Sequence, residues 1–254
     1  MCSSLHSKFI LSPLSEILES GVNACRGILS GIDTYPLSDY IMVSLFLKMT
    51  GAQEQKMKCI CWELATNDYE YRYDFINNKN YGECSNFKSK NNIYNDLIDA
   101  ISKLDPSFDL SVIKGQNNTN SINMIQDITA DIQSIFHDSS LCMSLHKQFV
   151  FFIYNINILS HTQIWQDKQS NAKTYSLFQS TLHNYYDEIV YKHRNHCAHN
   201  TISYQSDLPS LDILANDEYD NQNYFIRFAI LMLIDKIFMT LYSKYLDCLE
   251  KDKI

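Results

Sequence analysis

The sequence predicts an all-α protein, a helical bundle carrying inserted loops and helices, and three observations predict it. Only 6 Gly and 4 Pro occur in 254 residues, too few for the tight turns of sandwiches, barrels or doubly wound sheets. Apolar residues recur at three- and four-residue spacing almost throughout. No strict apolar–polar alternation runs long enough to build a half-buried sheet. The chain is also long enough to bury a real core.

The first element is a helix from about Pro13 to Leu29, where Leu14, Ile17, Leu18, Val22 and Cys25 keep helical spacing and Gly27 and Gly31 lie near its end. Ser38 or Asp39 then caps a long helix that begins at Tyr40 and continues through Gly51 to about Phe75, apolar enough to be central. Asn77 to Lys90 and Gly115 to Ser121 are rich in Asn, Lys and Ser and read as exposed loops. Between them, Ile93–Leu104 is a short helix stopped by Asp105-Pro106. Ile122–Phe136 and Leu141–Leu159 are two more helices, another runs from about Thr174 towards residue 199, and Tyr224–Leu249 is a strongly apolar terminal helix. We find no internal repeat. Residues 1–254 read as one domain with an insertion around 77–121, the alternative being a boundary near residue 90.

Charge and cysteine content narrow the function classes. The net charge of −8 argues against a general nucleic-acid coat protein, but a local cleft on an acidic protein can still be positive. Eight cysteines form no CxxC pair, and no secretory signal is evident, so a reducing cytoplasm is the expected compartment. The apolar run Phe149–Leu159 is too short to span a bilayer and predicts a buried helix with no membrane partner.

Residues 186–200 carry the candidate chemistry. On a helix Tyr186, Ile189, Val190, His193 and Cys197 share an inward face, with Arg194 on its flank. His199 follows five residues after Arg194, about 140° round an ideal helix and about 7.5 Å along it. The two side chains meet if the helix ends near Ala198, or if two copies face each other across a two-fold axis.

Arg194-Asn195-His196-Cys197-Ala198-His199 resembles the Arg-x4-His motif of the HEPN superfamily, helical bundles that include many ribonucleases of toxin–antitoxin and antiviral defence systems. Arg194 and His199 match the two defining positions, Asn195 the polar residue after the arginine, and Ala198 the small residue before the histidine. Phe46 to Glu54, with Gly51 and the following Glu54, is similar to the early helix of some members. The resemblance covers residues 38–76 and 140–250. It implies a HEPN-like bundle, a homodimer or pseudo-dimer with the motif at its interface, an RNA substrate, a cognate antitoxin or defence-system partner, and RNA cleavage that needs no metal and no cofactor.

The residue types suit that chemistry. RNA can be cut without a metal because its own 2′-OH attacks the adjacent phosphate. A histidine of ordinary pKa, about 6.5, moves a proton near neutral pH, and a forked guanidinium holds a phosphate and stabilises developing charge. His199 is therefore assigned to proton transfer, Arg194 to the phosphate, and Asn195 to positioning; His196 either contacts RNA or shares the proton work. Glu54 is the candidate ion-pair partner that orders Arg194, its plainer reading being a solvated helix residue. The competing structural reading pairs Arg194 with a carboxylate and lets His199 cap carbonyls. It would make the chain a non-catalytic module that binds RNA or protein. A zinc site at His193, His196 and His199 is the weaker alternative, because positions six apart diverge on a helix. Finally, Tyr224–Leu249 carries more apolar surface than one buried stripe needs, which places it in the expected dimer interface, the alternative being a helix buried at the centre of one subunit.

Overall fold

The computed structural model describes residues 4–26, 35–166, 174–199 and 223–251. Helix occupies 82% of them, which leaves a single short hairpin as the other regular element among the described residues and makes the protein all-α. Helix α1 (Leu5–Leu11) was not visible in the apolar spacing; the Ser4 hydroxyl caps it by accepting the Ser7 amide at 3.0 Å. Helix α2 (Ser15–Ala24) buries Leu14, Leu18 and Val22, four residues apart. The residues after Arg26, including Gly27 and Gly31, fall outside the described ones up to residue 34. Gly21 allows α2 to lie close on the next helix, since a Cβ there would sit 2.1 Å from the Leu45 side chain.

Helix α3 (Tyr35–Asn67) starts earlier than a cap at Ser38 or Asp39 requires. Pro36 sets a helical φ in the first turn and lacks the amide that a first turn leaves unpaired; Ser38 lies inside the helix, buried. At Asp68 the chain breaks, and the Asp68 carboxylate caps α4 (Tyr69–Asn78) by accepting from the Glu70 and Tyr71 amides. The expected single helix to Phe75 is thus two.

The Asn-rich stretch 77–90 is only partly a loop. Asn86 caps α5 (Phe87–Leu104), and Cys84, Phe87, Ser89 and Lys90 are buried. Helix α5 packs Ile93, Tyr94, Leu97, Ile98 and Ile101 into the core, so residues assigned to an insertion contribute central packing. After α6 (Leu110–Lys114), the second Asn-rich stretch winds into a 3-10 turn and starts α7 (Thr119–Phe136), burying Ser121. The expected helix 141–159 is broken at Leu145 into α8 (Ser140–Ser144) and α9 (His146–Tyr154); of its apolar run, Phe152 and Leu159 are buried while Tyr154 is exposed.

A hairpin, β1 (Ile164–Gln166) with β2 (Ser176–Phe178), stands where a helix from Thr174 was expected. Asparagines of α5 complete its hydrogen bonding: Asn91 accepts the Leu177 amide at 2.7 Å and Asn95 accepts the Tyr175 amide at 2.8 Å. A continuous helical rod follows: α10 (Ser180–Tyr185), a π-helical segment (Tyr186–Tyr191) and α11 (Lys192–His199).

Helix α12 (Tyr224–Lys251) corrects the interface expectation. It is capped by Asn223, whose side chain accepts the Phe225 and Ile226 amides, and α1, α3, α5, α7 and α9 bury it on every side from Tyr224 to Asp235 and along its inward face from there to Cys248. A helix apolar all round needs cover all round, and its own chain supplies it. The buried side chains of all these elements form one continuous core. None of the described helices is long and apolar enough to cross a membrane.

Candidate active site at the end of the motif helix

The motif sits at the end of the rod, and two hydrogen bonds fix the rod in place. The Tyr186 hydroxyl donates to the Ser85 carbonyl at 2.6 Å, tying it to the loop before α5. Arg227, buried on α12, donates its Nε to the Ile189 carbonyl at 3.2 Å. In the π-helical segment the Lys192 amide reaches back five residues to the Asp187 carbonyl, a wide turn of the kind that recurs at functional sites. The inward face is the one the sequence predicts: Tyr186, Ile189 and Val190 are buried, His193 and Cys197 half-buried.

Arg194 leaves that face and meets α3. Its Nη2 lies 3.0 Å from Glu54 Oε1 and donates to Oε2 at 3.2 Å, while Nη1 donates to Asn195 Oδ1 at 3.2 Å. The arginine side chain keeps 20% of its surface in solvent against 11% for Glu54. The structure brings together Glu54, Arg194 and Asn195, from positions 140 residues apart in the case of the ion pair. His196 is on the exposed side of α11. His199 is the last residue of α11, and its side chain lies outside the described residues. Gly51 stands one turn before Glu54, and a Cβ added there would meet nothing within 4 Å, so internal packing does not call for it.

Two groups show how environment separates chemistry from packing. Burial, with the charges of Arg227 and His196 adding to it, pushes the His193 imidazole down to about 3. Its ring packs between Phe46 at 5.1 Å and Tyr224 at 5.5 Å. His193 is a neutral core residue, not a proton carrier near neutral pH. Among the described residues no group of three or more His, Cys, Asp or Glu side chains is placed to hold a metal.

Lys90 was read as part of a solvated loop. It is buried instead, its Nζ donating to the Cys84 carbonyl at 2.6 Å, and burial pushes it down to about 8, opposed by the Glu54 carboxylate and assisted by the Arg194 charge. Cys84 takes a left-handed backbone, φ 61°, to present that carbonyl. Beside it Lys58 of α3 pairs with Glu83, whose carboxyl is held low first by that lysine and also by Arg194. Sequence reasoning missed Lys58, Glu83, Lys90 and Arg227. A lysine in an Asn- and Ser-rich stretch carries no local sign of burial; the tyrosines and phenylalanines flanking the stretch were the available hint.

No family model, curated protein or solved structure matches the chain. Fold and site define a helical protein that displays a carboxylate-braced arginine beside an asparagine, at the end of a helix closing on a histidine.

Proposed function

We propose that the protein is a metal-independent endoribonuclease of the HEPN type, acting in a bacterial defence or toxin system. The observation that carries the reading is the state of Arg194: braced by Glu54, flanked by Asn195, and with a fifth of its side-chain surface in solvent. A pre-oriented guanidinium of that kind can take a phosphate without reorganising during the reaction.

The reaction is transesterification. The 2′-oxygen bonds to phosphorus as its proton passes to a neutral His199, and the bond from phosphorus to the 5′-oxygen breaks as a protonated histidine gives that oxygen a proton. Arg194 holds the charge that develops on the phosphate oxygens. The α11 backbone is helical through His199, and positions five apart on an ideal helix lie about 140° round from one another. A two-fold dimer supplies the missing partner, with Arg194 of one copy facing His199 of the other. Gly51 favours such an approach: a mid-helix glycine costs about 1 kcal/mol relative to alanine, and the chain's own packing gives no reason for it.

The test is cleavage of RNA in the presence of a chelator, expected to leave a 2′,3′-cyclic phosphate and a 5′-hydroxyl. A 2′-deoxy nucleotide at the cut should block it. Arg194→Ala and His199→Ala should each abolish cleavage, and full activity in both would overturn the assignment. The same ion pair also favours a second reading, in which Arg194 only docks α11 on α3 and the chain binds RNA or a protein without cutting. That reading expects Arg194→Ala to destabilise the fold and to change no activity.

A further inference from the structure

A cleft of about 640 Å³ opens between the C-terminal half of α3, helix α4 and residues 79–84. Its size is in the range that encloses small ligands. Its apolar wall holds Trp62, Phe75, Ile76 and Tyr81, and Trp62 and Ile76 are exposed by 65% and 71%, far more than packing leaves on large apolar groups. The wall is not simply greasy. Lys58, Arg72 and Lys79 line it against one carboxylate, Glu83, reversing the charge balance of a chain that is −8 overall. Lys58 is paired with Glu83, and Lys79 with Asp96 and Asp74. The Arg72 guanidinium, exposed on α4, has no such partner among the described residues.

We propose that this cleft binds a nucleotide, its base stacked on Trp62 and its phosphate on Arg72 with Lys58 at the rim. An exposed indole beside apolar walls is a stacking platform for any base, and a forked, exposed guanidinium suits a phosphate. A bare phosphate would leave the aromatic wall uncovered, and an uncharged apolar ligand would leave Arg72 unanswered. The source is either a free nucleotide or one nucleotide of an RNA strand. Glu54, Lys58 and Trp62 lie on one face of α3 at four-residue steps, each about 6 Å along the axis, so a strand leaving Arg194 would run towards the cleft. The proposal holds whether or not the chain cuts RNA.

The chain has two tryptophans, and Trp165 is buried, so Trp62 dominates any change of fluorescence on ligand binding. The full chain is titrated with AMP, GMP, CMP and UMP, and with an uncleavable 2′-O-methyl RNA hexamer. Saturable quenching by a monophosphate places a free nucleotide in the cleft; quenching by the hexamer alone places a nucleotide of a strand there. Calorimetry on Arg72→Ala and Trp62→Ala should show affinity reduced about tenfold or more in each. Both side chains are exposed, so neither change disturbs the core. Absence of saturable response to every probe at millimolar concentration overturns the proposal and leaves the cleft to a protein partner. So does binding in both variants equal to that of the unaltered chain. Arg194→Ala should keep monophosphate binding, which separates this site from the proposed cutting site.

Discussion

Glu54 and Lys56 lie two residues apart on α3, and each forms an ion pair with a distant helix, yet the two pairs are built for different ends. Lys56 meets Asp235 of α12 at 2.6 Å with both side chains 3% exposed. The same carboxylate accepts the Leu14 amide at 2.9 Å, and Lys56 also donates to the Ser12 carbonyl. These bonds join α1, α2, α3 and α12. Glu54, itself buried, meets an Arg194 side chain that keeps 20% of its surface in solvent. A side-chain step of two residues turns about 200° round a helix, so α3 sends one charge into the core and the next to the site. The difference teaches that an ion pair points to function by how much of it stays in reach of solvent, since pairing alone serves either purpose.

The comparison breaks most visibly in stability. Lys56→Met should strand the Asp235 carboxylate inside the core and cost about 3–5 kcal/mol, read as a lowered denaturation midpoint. Arg194→Ala leaves the Glu54 carboxylate without its cation but nearer to solvent, and should lower stability by less, about 1–3 kcal/mol. Its effect belongs on the rate, where loss of phosphate stabilisation costs about 10²–10³-fold or more. If Arg194→Ala destabilised the protein as much as Lys56→Met does, the two pairs would have the same role and the site reading would fail.

A finer contrast uses pH. The folded His193 imidazole titrates near about 3, below its ordinary value of about 6.5, so the unfolded chain takes up the proton first. Its contribution to stability is complete above about pH 6.5 and declines as pH falls towards 3, by about 2 kcal/mol at pH 5. His193→Phe keeps the ring between Phe46 and Tyr224 and should flatten that acid slope, measured by urea unfolding at pH 7 and 5. An unchanged slope would mean that His193 is charged in the fold and available for chemistry.

The motif helix shows where sequence reasoning works. Tyr186, Ile189, Val190 and His193 recur at spacings that a helix turns to one side, and they face inward here. Period reasoning failed at elements whose identity depends on neighbours. Three-residue strands such as Ser176–Phe178 are too short to show alternation, and they persist because Asn91 and Asn95 of α5 satisfy their backbone. Lys90 resembles any solvated lysine until the Cys84 carbonyl is brought to it. The terminal helix was recognised as a helix but placed in a dimer interface, because an all-round apolar surface looks the same whether a second copy or the chain itself covers it.

What the sequence by itself determined is local: scarce breakers, helical apolar spacing, and a motif segment with a definite inward face. These follow from backbone sterics and from hydrogen bonds that span a few residues. Only the tertiary structure decided that Glu54 faces Arg194 while Lys56 faces Asp235, that Lys90 is buried, and that α12 is the centre of the molecule. Each of those joins residues separated by long stretches of chain, or depends on which surfaces close over a residue. No local period records either, because the free energy that selects the arrangement is gained only when the whole core packs at once.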